Sequence, residues 1–280
     1  MRVTILGATG FIGRHLSKAL RARGDDVVEA SLRDPAAAAA ASAGSDVVVN
    51  LAGAPVAVRW TDASKAAMWS SRVDATRAYL EALAGVDRRP QAFVAGSAIG
   101  YYGTSRTATF TESSPPGDDF LAKLCVAWEA ESDRAAALGM RVAKLRTGLV
   151  LGLDGGVLGK LLPIFRLGGG GVIASGKQWY SWIHIDDEIG IALHAIDGVD
   201  GVLNASAPQP VTNAEFTHAL GHAVGRPTIV PVPGFAMTLM LGEGAAAVTE
   251  GQRVLPERTT ATGYVFRHPE LVEALSSQLT

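Results

Sequence analysis

The stretch VTILGATGFIGRHL, residues 3–16, constrains this chain more than any other. An apolar run, Val3 to Leu6, ends at the first of three glycines spaced three apart, and a helical pattern follows at once. Ile12, Leu16, Ala19 and Leu20 recur at i, i+4, i+7 and i+8, while Arg14, His15, Lys18 and Arg21 fall elsewhere. That is an amphipathic helix laying one face on a sheet, with Gly24 placed to end it; the short run before it reads as a buried parallel strand. Gly7, Gly10 and Gly13 therefore stand in a strand-to-helix turn. Gly7 permits the turn, Gly10 lets backbone approach a pyrophosphate, and Gly13 lets helix and strand pack closely. The spacing is G-x-x-G-x-x-G rather than G-x-G-x-x-G, yet the strand before and the helix after make it a dinucleotide turn.

The end of the next strand selects the dinucleotide. An acid there meets the ribose 2′-OH of NAD, whereas an arginine meets the 2′-phosphate of NADP. In EASLRDP, residues 29–35, Ser31 holds the tip and Arg33 follows, with no acid until Asp34; Glu29 lies too early. The expected cofactor is NADP.

Strand and helix patterns then alternate. The alanine-rich stretch 35–43 leaves room only for an abbreviated crossover before the apolar DVVVNLAG at 46–53. A helix is expected over about 63–84, a strand at 92–97, a helix over about 119–138 and one strand over 141–152. The fold class is therefore α/β: a doubly wound parallel Rossmann sheet, with a smaller C-terminal α/β domain on the substrate side. The cofactor domain is expected over 1–152, with 184–205 returning to the sheet, and the substrate-side domain over most of 153–280. Thr212 and Glu215 spell a capping box for a helix in the latter.

Composition narrows the partners. Net charge is −2, which gives no reason to expect a nucleic acid or an anionic membrane as partner, so the ligand is expected to be a small molecule. The single cysteine, Cys125, excludes an intrachain disulfide and a multi-cysteine zinc site. With a strand-like start and an apolar stretch at 235–248 broken by Gly242, Glu243 and Gly244, a cytoplasmic location without leader or anchor is expected.

Beyond the turn, NLAGA (50–54), SRVDATR (71–77), AGSAIGYYG (95–103), SPPGDDFLAKLCVAWE (114–129), RTGLVLG (146–152), SGKQWYSWIHI (175–185) and GQRVLPE (251–257) occur in order. With these the whole chain resembles extended short-chain dehydrogenases/reductases, and most closely their atypical branch named for nucleoside-diphosphate-sugar epimerases, of 39U type. The resemblance implies a Rossmann fold binding NADP; it names no physiological substrate. Residue by residue it implies that Gly7, Gly10, Phe11, Ile12 and Gly13 hold the pyrophosphate. Ser31 and Arg33 meet the 2′-phosphate, and Asn50, Leu51 and Ala52 pass the adenosine side. Arg72 stands where many members carry a cofactor-binding asparagine. Ser97 matches the residue that hydrogen-bonds the reacting oxygen.

One departure bears on chemistry. The superfamily's Tyr-x-x-x-Lys pair, anchored on Glu129, falls on Leu121 and Cys125, neither of which can move a proton in the usual way. Lys123 is two residues off and points elsewhere on a helix. A phenol from Tyr101 or Tyr102, just after Ser97, is the available substitute. Two functions follow: an NADP-dependent oxidoreductase or epimerase acting on a small polar molecule such as a nucleotide sugar, or a catalytically silent NADP-binding sensor or scaffold. No metal site is expected. His218 and His222 share a helix face without a third ligand or H-E-x-x-H, and Asp186, Asp187 and Glu188 read as acids serving a helix N-terminus. Ser97 lacks the G-x-S-x-G elbow of a hydrolase.

Overall fold

Six strands form one parallel sheet: β1 (Arg2–Leu6), β2 (Asp26–Ala30), β3 (Val47–Asn50), β4 (Ala92–Ala98), β5 (Arg141–Thr147) and β6 (Gly201–Ala205). Their order is β6-β5-β4-β3-β1-β2. The structure is a computed structural model that describes residues 1–279. Helices cover both faces, so the central strands β1, β3 and β4 are almost wholly buried, as a parallel sheet requires. On one face Leu16 and Leu20 of helix α1 (Phe11–Arg23) join Val3, Ile5, Val49 and Val94 in the core. On the other, Ala38 of α2 (Pro35–Ala41) and buried side chains between residues 79 and 83 pack on Leu6, Val48 and Phe93. This is the doubly wound arrangement.

β1 pairs with β2 on one side and β3 on the other, so the winding reverses between β1 and β3. Ligand crevices open beyond the carboxyl ends of strands at such a reversal. The crossover from β2 to β3 is the short α2 alone, as the scant sequence there implies, which leaves β2 as the sheet edge.

Two elements depart from expectation. The helix expected over 63–84 is two helices, α3 (Asp62–Trp69) and α4 (Ala75–Leu83), joined without a break by a π-helical turn, Ser70–Asp74. The strand expected over 141–152 is divided at Gly148. β5 ends at Thr147, and Leu149–Gly152 pairs instead with Trp182–His184 in a separate two-stranded ribbon. The Gly148 N–H donates to Ala205 O at 2.9 Å, and a Cβ there would stand 2.5 Å from Ser181 O, so only glycine passes between the two sheets.

Helix α5 (Phe120–Asp133) is capped by Asp119, which accepts from the Ala122 N–H at 2.8 Å. Past β5, helix α6 (Gly156–Arg166) joins Trp182, Phe216, Leu220, Leu271 and Leu275 in a separate core. Helix α7 (Ile185–Ile196) returns the chain to the sheet and leads to β6. The capping box of Thr212 and Glu215 forms as expected.

Candidate active site

The glycine turn lies at the carboxyl end of β1. Gly7 has φ +87°, and its N–H donates to Ala30 O at 3.3 Å. A Cβ there would stand 2.9 Å from Ala52 N, so the turn touches the end of β3. At Gly13 a Cβ would lie 2.3 Å from Gly7 O, which makes glycine a packing requirement. Gly10 is exposed and meets only Gly7 O. It is the N-cap of α1, without a side-chain cap bond and without an acid in the first turn. The first amides of α1, at Phe11, Ile12 and Gly13, thus have no capping side chain, and with the helix dipole they suit an anion. The Phe11 ring turns away into Gly152, Gly155 and Gly156, where a Cβ at Gly155 would meet it at 2.4 Å, leaving Phe11 to act through its backbone.

At the tip of β2, Ser31 and Arg33 are both exposed, and the Arg33 N–H donates to Ser31 Oγ at 3.3 Å. The nearby acids are engaged elsewhere. Asp34 caps α2 by accepting from Ala37 N–H at 3.0 Å, and Glu29 pairs with Arg21 at 2.6 Å. At the end of β3, Asn50 is buried and donates to Thr76 Oγ1 at 3.0 Å while accepting from Ala52 N–H at 3.2 Å. It therefore shapes the Leu51–Ala52 backbone.

Arg72 comes from the π turn. Its guanidinium lies 5.2 Å from the Trp128 ring and against Gly53, where a Cβ would stand 2.6 Å from its Cζ. Its hydrogen bond runs from Nη1 to Met68 O at 3.4 Å, and no carboxylate pairs with it among the described residues. Burial pushes its pKa down, opposed only by the Cys125 thiol. A mostly buried cation without a counter-charge is costly unless a ligand supplies one.

Ser97 ends β4 within a buried polar network. It lies in register with Arg146 on β5, and Arg146 with Asn204 on β6, so three adjacent strands bring three polar residues to one level. The Ser97 hydroxyl donates to Glu129 Oε1 at 2.6 Å. Arg146 grips both Glu129 oxygens, each at 2.8 Å, and donates to the Tyr102 hydroxyl at 2.9 Å. Burial works against the Arg146 charge, but Glu129 outweighs it and holds the guanidinium above its ordinary pKa. The Tyr102 hydroxyl donates onward to Asn204 Oδ1 at 2.6 Å, and burial pushes its pKa up to about 12 despite Arg146. Tyr102 is thereby committed within the network. Tyr101 is half-buried, with Arg146 3.3 Å from its ring centre.

Leu121 packs against Gly100 and Cys125 is buried, while Lys123 is exposed on another face of α5. Burial, with Glu129 adding, pushes the Cys125 thiol up to about 12. In the sequence Glu129 stands out only as the anchor of the missing pair, and Arg146 and Asn204 do not stand out at all. The available signal was a polar residue near the carboxyl end of each of three strands, although in β5 it stands beside Lys144 and Thr147.

The remaining candidates lie outside this network. His218 hydrogen-bonds Thr228 at 2.9 Å. The cap of α7 is the His184 side chain rather than an acid. Trp182 is fully buried with its indole N–H on Gln209 O, and His184 turns to the C-terminal helix.

The profile of the NAD dependent epimerase/dehydratase family matches residues 3–206, and a domain of unknown function, DUF1731, matches residues 232–278. The chain is 39% identical to the epimerase family protein SDR39U1 homolog, chloroplastic, of Arabidopsis thaliana, over 98% of this chain and 86% of that one. The crystal structure of the human epimerase family protein SDR39U1 (isoform 2) with NADPH superposes with a TM-score of 0.91 at 38% identity, covering 100% of this chain and 99% of that one. A nucleoside-diphosphate sugar epimerase from Corynebacterium glutamicum superposes with a TM-score of 0.81 at 31% identity, covering 100% of this chain but 58% of that one. Among the described residues, no helix is long and apolar enough to cross a membrane.

Proposed function

Because this chain belongs to the NAD dependent epimerase/dehydratase family, in its extended short-chain dehydrogenase/reductase branch of SDR39U1 type, we propose that it is an NADP(H)-dependent oxidoreductase or epimerase acting on a small polar molecule. The NADPH named with the human relative supports the cofactor, and the nucleoside-diphosphate sugar epimerase suggests a nucleotide sugar as substrate class. The uncapped start of α1 would hold the pyrophosphate, Ser31 and Arg33 the 2′-phosphate, and the Asn50–Ala52 backbone the adenosine side. Residues 1–152 with 184–205 serve the cofactor in this reading, and most of 153–280 the substrate. A cytoplasmic location belongs to the same reading, tested by cell fractionation.

The observation that carries the chemistry is Arg72. The family's lysine position is Cys125, and the one cation near that thiol is an arginine from another helix with no acidic partner among the described residues. Arg72 supplies the positive charge that the lysine would have supplied, binding an anionic group or the oxyanion that develops on the reacting carbon. The bound cofactor supplies or accepts the hydride. Ser97 already gives its proton to Glu129, so it offers lone pairs outward and accepts from a substrate hydroxyl. Tyr101 provides the phenol, held in place by Arg146, while Tyr102 positions Arg146.

The test is NADPH oxidation and NADP reduction across a panel of carbonyl compounds, alcohols and nucleotide sugars. Arg72→Met should lower kcat/KM by roughly 100-fold or more, the effect of removing one oxyanion donor, and Arg72→Lys should recover part of it. Undiminished turnover in Arg72→Met overturns the assignment. NADPH binding without turnover across the panel replaces the enzyme with a binding-only role.

A further inference from the structure

Away from the cofactor cleft, three ligand-bearing side chains converge where the C-terminal segment meets the start of α7. His184 Nδ1 lies 3.8 Å from Asp186 Oδ2, and His268 Nε2 lies 3.6 Å from the same oxygen. The two imidazoles lie against each other in a tilted pair, with centroids 3.8 Å apart and planes 36° apart. All three ligand atoms fall within 4.8 Å of one another. The nitrogen–oxygen separations are too long for hydrogen bonds. They are close to the spacing of about 3.3 Å between ligands each ~2.0–2.1 Å from a tetrahedral zinc ion.

The surroundings hold these groups in place. Asp187, fully buried, accepts from Tyr264 OH at 2.9 Å, Arg267 N–H at 2.8 Å and His268 N–H at 2.9 Å. That carboxylate pins the 264–268 loop to α7 and fixes where the His268 ring stands. His184 is held from behind by the C-terminal helix Leu271–Leu279, through Ser277 Oγ at 3.3 Å and the Gln278 amide at 2.6 Å. Because Nδ1 accepts the Asp186 N–H at 3.1 Å, the proton of His184 sits on Nε2, where Ser277 Oγ accepts it, the serine's own proton going to Ala274 O. An imidazole whose far N–H is fixed by a partner while its other lone pair faces a carboxylate is the arrangement of a metal-ligating histidine. A metal would displace one interaction, the Asp186 N–H, at a helix start where water can take over. The mouth is open, since the Asp186 side chain is 53% exposed.

We infer that His184, Asp186 and His268 form a binding site for one divalent transition-metal ion of the zinc class, completed by water. A mixed imidazole–carboxylate set suits zinc and its neighbours rather than magnesium or calcium. The ion ties the C-terminal segment to the first turn of α7, and so fastens the substrate-side core to the sheet domain.

The experiment uses the untagged full-length chain, stripped with a chelator and titrated with zinc chloride by calorimetry and thermal denaturation. Saturable binding of one ion per chain is expected, with Tm raised by roughly 5 °C or more. His268→Gln and Asp186→Asn, both at the open mouth, should each weaken binding at least about tenfold. Ser277→Ala should weaken it by roughly 10–100-fold, as loss of an outer-shell partner does. His222→Gln should leave it unchanged. Absence of saturable binding overturns the site. So does binding that survives His268→Gln or disappears in His222→Gln, since the ion would then lie on the helix carrying His218 and His222.

Discussion

Ser97 and Arg146 stand side by side in register on β4 and β5, and both direct their hydrogen bonds to the carboxylate of Glu129. All three are buried. The serine nearest the proposed chemistry is therefore oriented by an ion pair, and its proton points away from any substrate.

Breaking that ion pair should be expensive. Arg146→Met leaves a buried carboxylate without its cation, and the expected loss in urea denaturation is about 3–5 kcal/mol. Pairing it with Glu129→Leu should recover most of the loss, since no buried charge then remains. Single variants as stable as wild type would contradict the buried-pair description.

The glycines of the turn should separate into two kinds. Gly10→Val meets only Gly7 O, 3.2 Å from its Cβ, so with a small shift the fold should survive while NADPH no longer raises Tm, because only a binding ligand stabilises by mass action. Gly13→Ala drives a Cβ to 2.3 Å from Gly7 O and should lower Tm before any ligand is added. A normal NADPH shift in Gly10→Val would show that this residue does not face phosphate.

Arg33, exposed at the β2 tip with both neighbouring acids occupied elsewhere, should set cofactor preference. A charge-assisted hydrogen bond of ~1.5–3 kcal/mol corresponds to about tenfold or more in affinity for NADPH over NADH. Arg33→Ala should bring the two dissociation constants together. Equal affinities in the wild type would count against the assignment.

Cys125 should be silent toward thiol reagents at pH 8 in the native protein and react fully in denaturant. Its pKa is pushed up to about 12 from 9.0, so the folded thiol stays protonated where the unfolded one ionises. The unfolded state then binds fewer protons, and this group makes the fold less stable as pH rises above 9.0. Cys125→Ala should flatten that part of the Tm profile. Rapid native-state labelling at pH 8 would contradict the burial.

Much of this arrangement was legible because it rests on local patterns. The glycine spacing, the apolar runs and the helix period identify β1, α1 and the doubly wound class without knowledge of any long-range contact. The short stretch between Ser31 and Val47 likewise has room for nothing but α2. The division at Gly148 was not legible, since Leu149 to Leu151 are as strand-like as β5, and only the approach of Ser181 O shows why the chain must leave. Arg146 and Asn204 escaped for a related reason. Their importance comes from strand register, which places residues 97, 146 and 204 side by side although the sequence holds them far apart. His184 and His268 are joined in the same way, through the loop that Asp187 fastens.

The π turn at Ser70–Asp74 makes the position of Arg72 sensitive to chain length as well as to residue identity. Such a turn is an α-helix carrying an inserted residue. Deleting a single residue between 70 and 74 would heal it into one continuous helix. Everything on one side would then rotate by about 100° relative to the other, removing the guanidinium from Trp128. A one-codon deletion, rather than a substitution, is the smallest genetic event by which a relative of this protein could exchange one cleft chemistry for another.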